Sequence, residues 1–321
     1  MKGLILYNPY YNDDRVTAQV RRIAEELSAL GAATETRANI GTAFLTESAG
    51  DTETLLSGDT DFVVFLDKDK YAPRLLEQKG VRVFNPAAAI EICDDKMLTH
   101  IALAGQRIAM PATIPGLLCF TPAPLDTDYC RFVAGRLGLP LVVKECYGSM
   151  GKGVYLARTF EELTAIAERV KMRPHLFQRF VASGAARDIR VMVIGGRAAA
   201  WMLRKSDTDF RSNIELGGKG YKVDLEPAFR DLAERAARTL RLDYCGVDLL
   251  IGGRGEPLLC EVNSNAFFGE SERVTGVNVA GAYAKHIVGE LQIDNRKVKD
   301  GSDSKEWTSS NSYDIIEKWK R

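Results

Sequence analysis

The chain has 321 residues, of which 45% are hydrophobic and 27% charged, and its 43 Lys and Arg residues balance 43 Asp and Glu residues. This length predicts two or three domains, and the composition is typical of a soluble globular protein. A net charge of zero argues against a general nucleic-acid or membrane-surface binder. No stretch approaches the ~20 apolar residues of a transmembrane helix, so we expect neither nucleic acid nor membrane as a partner.

The first residues, Met1 to Asn8, predict a β-strand rather than a signal peptide. The six cysteines are scattered and form no Cys-x-x-Cys pair, which predicts mostly buried free thiols in a reducing cytoplasm. The three histidines are not close in sequence to a second metal-binding residue. We therefore expect a cytoplasmic protein without a zinc site or a Ser-His-Asp triad.

Strands alternate with helices over residues 1–86, which predicts a small, doubly wound α/β domain with a parallel sheet. The predicted elements are strand 3–8, helix 15–30, strand 61–66, helix 71–79 and strand 81–84. The Asn85-Pro86 dipeptide breaks this pattern.

Residues 87–291 predict an α+β region with antiparallel strands, divided into subdomains 87–182 and 183–291. Its predicted elements are helices 87–104, 126–137, 160–170 and 227–240, strands 139–145 and 175–181, and hairpins over 189–204 and 246–263. Residues 292–321 are mostly polar and predict a flexible tail, which could end in a short amphipathic helix.

The predicted hairpin over residues 246–263 carries a notable pair of acids. Its two apolar runs flank a glycine-rich turn. If Ile251 pairs with Leu258, then Asp248 lies opposite Glu261.

The same register places Asn263 on the face of Glu261 and Cys260 on the other face. Two carboxylates that face each other across a sheet repel, and a bound cation would reverse the sign of that interaction. Carboxylate and amide oxygens are ligands that Mg²⁺ takes, usually together with substrate phosphates. Two solvent-facing acids on an edge hairpin are an equally good interpretation of the hairpin alone.

Three upstream groups are typical of anion binding, although each has an ordinary alternative. Lys144 ends a strand before the glycine-rich loop 148–153, which could hold phosphate oxygens or be a plain hairpin turn. The polar segment 207–220 contains Arg211 and could be an anion clamp or a solvated loop. Lys96 near a helix start could be a phosphate ligand or a surface residue.

Taken in chain order, these motifs resemble the ATP-grasp carboxylate–amine ligases, and among them the RimK-type (alpha-L-glutamate ligase-like) family. The resemblance runs over about residues 1–290 and is tightest over 85–290. The motifs that carry it are Asn85-Pro86, Asp95-Lys96, Val143-Lys144, Gly148-Ser-Met-Gly-Lys-Gly153, Asp188-Ile-Arg190, Asp209-Phe-Arg-Ser-Asn213, Gly246-Val-Asp248 and Glu261-Val-Asn263.

The resemblance implies an ATP-grasp fold behind the N-terminal α/β domain, and it implies roles for individual residues. Phosphate, adenine or ribose contacts are implied for Lys96, Lys144, Gly148, Ser149, Gly151, Gly153, Gln178, Arg179, Phe180, Asp188, Arg211, Ser212 and Asn213. Roles near the reacting carboxylate are implied for Arg211, Asn213 and Arg204. Metal binding is implied for Asp248, Glu261 and Asn263.

The implied activity is amide-bond formation through an acyl phosphate, with release of ADP and phosphate. ATP and Mg²⁺ are the implied cofactors, with Mn²⁺ as an alternative ion. The partners would be a carboxylate acceptor and an amine or amino-acid donor, and the resemblance allows a homo-oligomer. A nucleotide-binding regulatory module and a small-molecule kinase on the same fold are the alternatives. The chain departs from the family at Arg179, where Glu is frequent, and over Ser264–Gly269.

Overall fold

The computed structural model describes residues 1–299 except for 12, 46–51, 55, 57, 183–185, 208, 210, 213, 215 and 216, and of residues 52 and 294–299 it describes only the backbone. The predicted mixture of α/β and α+β structure is confirmed. Three sheets carry the fold; the second has a hydrophobic core of its own, whereas one core is shared between the first and the third sheet.

The first sheet is parallel and has the order β2-β1-β5-β6. Its strands are β1 (Lys2–Tyr7), β2 (Ala33–Ala38), β5 (Phe62–Leu66) and β6 (Arg82–Phe84), with helices α1 (Asp14–Ala29) and α2 (Ala72–Gln78) and a small hairpin of β3 (Ala43–Leu45) and β4 (Thr52–Thr54). The sequence did not predict β2, because this edge strand is largely polar and only partly covered.

The second sheet is antiparallel and has the order β7-β10-β8-β9. Its strands are β7 (Thr113–Pro115), β8 (Leu141–Glu145), β9 (Val154–Ala157) and β10 (His175–Arg179). Helices α5 (Thr127–Leu137) and α6 (Phe160–Val170) bury their apolar faces against it.

The third sheet is antiparallel and has the order β13-β12-β11-β14-β15. Its strands are β11 (Ala186–Ile194), β12 (Arg197–Ser206), β13 (Lys219–Tyr221), β14 (Tyr244–Ile251) and β15 (Pro257–Asn263). Two helices were not predicted, α8 (Gly269–Thr275) and α9 (Val279–Lys299). Because α9 reaches Lys299, the first eight residues of the predicted flexible tail are helical, and residues 300–321 lie outside the described part of the chain.

The helix predicted over 87–104 is two helices, α3 (Ala87–Asp94) and α4 (Lys96–Leu103). Asp95 adopts an extended conformation between them, and its carboxylate accepts hydrogen bonds from the backbone of Met97 and Leu98. Both helices pack with the third sheet and with α7 (Pro227–Thr239) rather than with the second sheet. Residues 87–103, which begin the predicted subdomain 87–182, therefore pack with the core of the third sheet, which lies in the predicted subdomain 183–291.

The register of the last hairpin corrects part of the prediction. Ile251 pairs with Pro257 rather than with Leu258, but Asp248 does lie opposite Glu261. A β-bulge between these pairs accounts for both results, because Cys260 is an extra residue without a partner of its own.

Asn85, directly after β6, connects the first domain to this hairpin. Its side chain bonds the backbone N–H and carbonyl of Tyr244 at 2.9 and 2.8 Å, and the carbonyl of Ser264 at 2.8 Å. The carboxyl edge of the first sheet is thereby held beside the acids of the third. Among the helices described, none is long and apolar enough to cross a membrane. All six cysteines are free, and four of them are buried.

Candidate active site

A cleft of about 610 Å³ lies between the second and third sheets. Most of the residues implied by the sequence line it: Lys96, Lys144, Gly148, Ser149, Gly151, Gln178, Arg179, Phe180, Asp188, Arg204, Arg211, Ser212, Asp248 and Glu261. Gly153 is not part of this lining, and Asn263 lines a neighbouring cavity instead. Asn213 lies outside the described residues.

Two arginines and two aspartates form a buried network across β12, β11 and β14. Arg190 pairs with Asp248 through its Nε and Nη2, the latter 2.8 Å from Oδ2. Arg204 Nη2 lies 2.9 Å from the same Oδ2, and Arg204 Nε donates to Asp188 at 2.8 Å. The strand register produces this arrangement, because Arg190 lies opposite Asp248 and Arg204 opposite Asp188.

The network fixes the charges of its members. Burial lowers the pKa of the Arg204 guanidinium, but the carboxylates of Asp188 and Asp248 outweigh burial and raise that pKa well above its usual value. Burial raises the pKa of the Asp248 carboxyl, and the two arginines reverse this and leave that pKa below its usual value. Asp248, which is 3% exposed, is therefore an anion at neutral pH.

Glu261 lies beside a buried lysine, since the Nζ of Lys96 is 3.6 Å from its Oε1. The same Nζ donates to the carbonyl of Gly148 at 2.9 Å. Lys96 is the first residue of α4, so the hydrogen bonds of the Asp95 cap fix the position of the Lys96 backbone. Lys96 is therefore buried against the glycine loop rather than exposed on the surface, and its implied contact with phosphate stays a prediction.

Asp248, Glu261 and Asn263 border one small cavity together. No group of three His, Cys, Asp or Glu side chains suited to a metal occurs among the described residues. The Nδ2 of Asn263 is buried without a hydrogen-bond partner; as a donor it suits an oxygen of a bound ligand such as phosphate, whereas a cation would take the Oδ1. Two carboxylates and an amide fit Mg²⁺ when substrate phosphates or water supply the remaining oxygens.

The glycine-rich loop connects β8 to β9 and approaches both sides of the cleft. Gly148, Gly151 and Gly153 have positive φ angles, and so does Met150, at 59°. Arg211 Nη1 donates to the carbonyl of Gly151 at 2.6 Å. The rest of that guanidinium pairs with Asp209, and this hydrogen bond raises the pKa of Arg211.

Lys144 extends from β8 to within 3.6 Å of the Sγ of Cys260. Cys260 therefore lines the cleft next to Glu261, and the prediction that it faces away from Glu261 is wrong. The bulge is the physical reason, since it interrupts the alternation of side chains between the two faces.

A second cavity of about 160 Å³ adjoins the cleft. Ser149, Met150, Asp248 and Glu261 line both spaces. Residues after strands of the first sheet, Asn8 and Asp67, close its other side. Sequence reasoning missed Asp67, although residues that follow parallel strands commonly border ligand sites.

Comparisons with known proteins agree with this geometry. The model of the RimK-like ATP-grasp domain matches residues 93–287. The chain is 35% identical over 226 residues to the N-acetylaspartylglutamate synthase A of Homo sapiens, covering 69% of this chain and 56% of the relative. It is 36% identical over 217 residues to a probable alpha-L-glutamate ligase of Legionella pneumophila (strain Corby), covering 67% and 69%. The chain thus spans little more than half the length of the first of these relatives.

Solved structures show the same fold at low sequence identity. A RimK domain ATP-grasp protein from Sphaerobacter thermophilus superposes with a TM-score of 0.65 at 22% identity, over 89% of this chain and 99% of the other. The D-alanine–D-alanine ligase of Bacillus anthracis complexed with ATP gives 0.68 at 16% identity, over 93% and 99%. From the fold, the arrangement of the cleft and the family match, the chain belongs to the RimK-like ATP-grasp family.

Proposed function

We propose that this protein is an ATP-dependent carboxylate–amine ligase that forms an amide bond and releases ADP and phosphate. The observation that carries the proposal is the shared wall of the two cavities. Asp248 and Glu261 face both a cleft large enough for a nucleotide and a small pocket. A phosphate at this wall and a substrate in the pocket would be neighbours, as phosphoryl transfer requires.

In the proposed reaction, a substrate carboxylate oxygen attacks the γ-phosphorus of ATP, and the bond between that phosphorus and the β,γ-bridging oxygen breaks. ADP leaves and an acyl phosphate forms. An amine then attacks the acyl carbon, loses a proton and displaces phosphate. The protein supplies alignment and positive charge rather than a nucleophile.

Lys96, Lys144 and Arg211 are the cations assigned to the phosphates. Lys96 and Arg211 already hold carbonyls of the glycine loop, so the loop would close over the nucleotide beside them. Arg204 uses its Nε and Nη2 on Asp188 and Asp248. We therefore assign Arg204 a positioning role toward those carboxylates, which revises its expected place beside the reacting carboxylate.

Asp248, Glu261 and Asn263 would hold Mg²⁺ at the shared wall. The ion would neutralise charge on the transferring phosphoryl group. Gln178, Arg179 and Phe180 would border the adenine, Asp188 would lie near the ribose, and Ser212 and Asn213 would lie near the phosphates. Gly153 would act through the loop backbone, because a side chain there would come within 3.0 Å of Glu145.

The names of the relatives suggest the substrate class. Relatives are named N-acetylaspartylglutamate synthase, beta-citrylglutamate synthase and probable alpha-L-glutamate ligase. The proposed reaction accordingly adds an amino acid such as glutamate to the carboxylate of a peptide, a protein or a small molecule. The segment Ser264–Gly269 differs from the sequence that is common in the family at this place. Its residues Asn265 and Phe267 line the second cavity. This segment is therefore where the acceptor preference would be set.

The test is a coupled ADP-release assay over pairs of carboxylates and amines, with product masses read by mass spectrometry. Binding of Mg-ATP is first established by calorimetry. An ADP signal that needs both substrates, and a hydroxamate when hydroxylamine replaces the amine, are expected. A phosphorylated product stable to hydroxylamine would instead identify a kinase. Bound Mg-ATP without turnover for any pair would identify a regulatory module.

A further inference from the structure

Asp67 follows β5 at the carboxyl edge of the first sheet and lines the second cavity, yet it is only 4% exposed. Its Oδ1 accepts hydrogen bonds from Asn8 Nδ2 at 2.7 Å and from the backbone N–H of Lys68 at 2.6 Å. Its Oδ2 accepts one bond, from Asn39 Nδ2 at 3.2 Å. All three donors are neutral, and Oδ2 retains acceptor capacity.

This buried carboxylate has no cationic partner within the described parts of the chain. The neighbouring Lys68 directs its Nζ to Asp94, 3.1 Å away. Burial of an unpaired charge is costly, and buried carboxylates are normally paired. The Asn8 amide cannot turn away easily, because its Oδ1 accepts from the backbone N–H of Tyr10 at 2.8 Å. The Asp67 carboxyl group is thus held toward the cavity with acceptor capacity that a bound ammonium group would use.

The third sheet contributes two carboxylates, Asp248 and Glu261, and one cation, Arg190, to the same cavity. Arg190 lines the cavity and uses Nε and Nη2 on Asp248, while its Nη1 makes no hydrogen bond to a described residue. The cavity of about 160 Å³ matches the roughly 150 Å³ that accommodate a six-carbon ring in an engineered protein cavity. A small molecule with a positive and a negative end therefore fits both the charges and the size.

We propose that the second cavity binds an α-amino acid or a similarly small zwitterion, with its ammonium group on Asp67 and its carboxylate toward Nη1 of Arg190. An ammonium group paired with a carboxylate keeps its proton and is a poor nucleophile. The bound molecule is therefore the substrate whose carboxylate is phosphorylated, an assignment that rests on the proposed ligase function. Whether the second cavity binds an amino acid can be tested by binding measurements alone, without an assay of activity.

The experiment is calorimetry of the full chain saturated with Mg-ADP, titrated with each proteinogenic amino acid and with its N-acetyl derivative. At least one free amino acid should bind, and acetylation should weaken its binding by about tenfold to a hundredfold, the usual effect of losing a charge-assisted hydrogen bond. Asp67→Asn should weaken binding of the free amino acid by a similar factor.

Asp69→Asn is the matched control, since Asp69 lies two residues away, contacts Asn39 and caps α2 without lining the cavity. It should bind as the wild type does. Unchanged ADP affinity would show that Asp67→Asn is folded, and if that variant does not fold, the acetylated ligands on the wild type decide the question.

Binding of no free amino acid, equal binding of the acetylated forms, or wild-type affinity in a folded Asp67→Asn variant would each overturn the proposal. These outcomes are separate from those of the ADP-release assay. If ADP is released only with carboxylate substrates that carry no amino group, the amino-acid site is refuted and the proposed ligase function stands. If amino acids bind but no substrate pair releases ADP, the site stands and the ligase function is refuted.

Discussion

The hydroxyl of Tyr11 lies 3.1 Å from the Sδ of Met150, so the glycine loop contacts the N-terminal domain above the second cavity. The Tyr11 ring also stacks on Phe267, with the ring centroids 6.0 Å apart. Arg15 covers the same Phe267 ring at 4.9 Å. If the cleft binds a nucleotide as proposed, closure of the glycine loop over it and enclosure of a substrate would be connected through Met150.

Replacement of Met150 tests this connection. Met150→Gly removes the contact with Tyr11 and relieves a positive φ that L-residues adopt at a cost. We expect KM for the carboxylate substrate to rise about tenfold, while the free energy of unfolding changes by less than about 1 kcal/mol. Steady-state kinetics and denaturant unfolding give these values. The exposed Met172→Gly serves as control, and an unchanged KM in Met150→Gly would contradict the connection.

The two acids at the shared wall should differ in their effect on stability. Glu261→Gln should lower kcat at least a hundredfold, the usual scale for loss of a charged group in an active site, and leave unfolding almost unchanged. Asp248→Asn should lower kcat similarly but also destabilise the fold by up to about 3 kcal/mol, because Arg190 and Arg204 would share one buried anion fewer.

The control for this pair is Glu168→Gln, which alters an exposed acid on α6. Activity is read by ADP release at several Mg²⁺ concentrations, and stability by urea unfolding. Full turnover in Glu261→Gln would remove the metal assignment, and equal stability of both variants would argue against the buried network.

Arg211 should be sensitive even to a change that keeps its charge. It bonds Asp209 with two nitrogens and the carbonyl of Gly151 with a third, a pattern that a lysine ammonium cannot reproduce. We expect Arg211→Lys to weaken ATP binding about tenfold, or ~1.4 kcal/mol. Calorimetry with a non-hydrolysable ATP analogue measures this. Arg230→Lys on an exposed helix face should bind ATP normally, and an Arg211→Lys variant that does likewise would count against the phosphate role.

His100 should make stability depend on pH. Burial, with a smaller effect of Lys144, lowers the pKa of His100 from 6.5 to about 4. Gln178 Nε2 lies 3.2 Å from its Nε2, a contact that suits a neutral, accepting imidazole. The unfolded chain takes up this proton near pH 6.5, so the stabilisation is complete above that pH and is lost as the pH falls toward 4.

Over this range the loss should approach ~3 kcal/mol, at 1.36 kcal/mol for each unit of pKa shift. His100→Gln removes the titrating group and should flatten the slope between pH 6.5 and 4. Urea unfolding at half-unit pH intervals measures it for both proteins. Parallel slopes would show that other groups cause the acid sensitivity.

Deletion of Cys260 tests the bulge. Without this residue the ladder can run regularly from Leu249 and Leu259 to Asp248 and Glu261, since both pairs already exist on either side of the bulge. We expect a folded protein whose nucleotide affinity changes because Lys144 loses its neighbour, with measurable Mg²⁺-dependent turnover. Calorimetry and ADP release test this, with Cys260→Ala as the comparison. A deletion variant that folds but has no turnover would show that the bulge also positions Glu261.

Patterns of local sequence predicted much of the site, because its main acids lie on strands with a period of two. Asp248 and Glu261 face each other as predicted. The bulge at Cys260 could not be predicted, because a single extra residue leaves no mark on an apolar run. Arg190 and Arg204 could be located on strands, but their partners depend on a register among β11, β12 and β14 that no local pattern encodes.

The missed features depend on contacts between distant segments. The sequence around Asp67 shows only an ordinary polar residue after a buried strand, and its contacts with Asn8 after β1 and Asn39 after β2 appear only in the structure. The break between α3 and α4 did have a local signal, because Asp is a favoured residue before a helix. Membership of these helices in the third sheet's core arises from packing against α7, more than a hundred residues later.

The extra residue in β15, Cys260, can be substituted without shifting the strand register of the hairpin. Cys260 contacts Lys144 on the side of the cleft, whereas Glu261 is held by its pairing with Asp248. In a regular ladder, consecutive positions alternate between core and cleft, so an added cleft residue would shift every residue beyond it. Here a substitution at position 260 can change the size of the cleft while the acids stay in register.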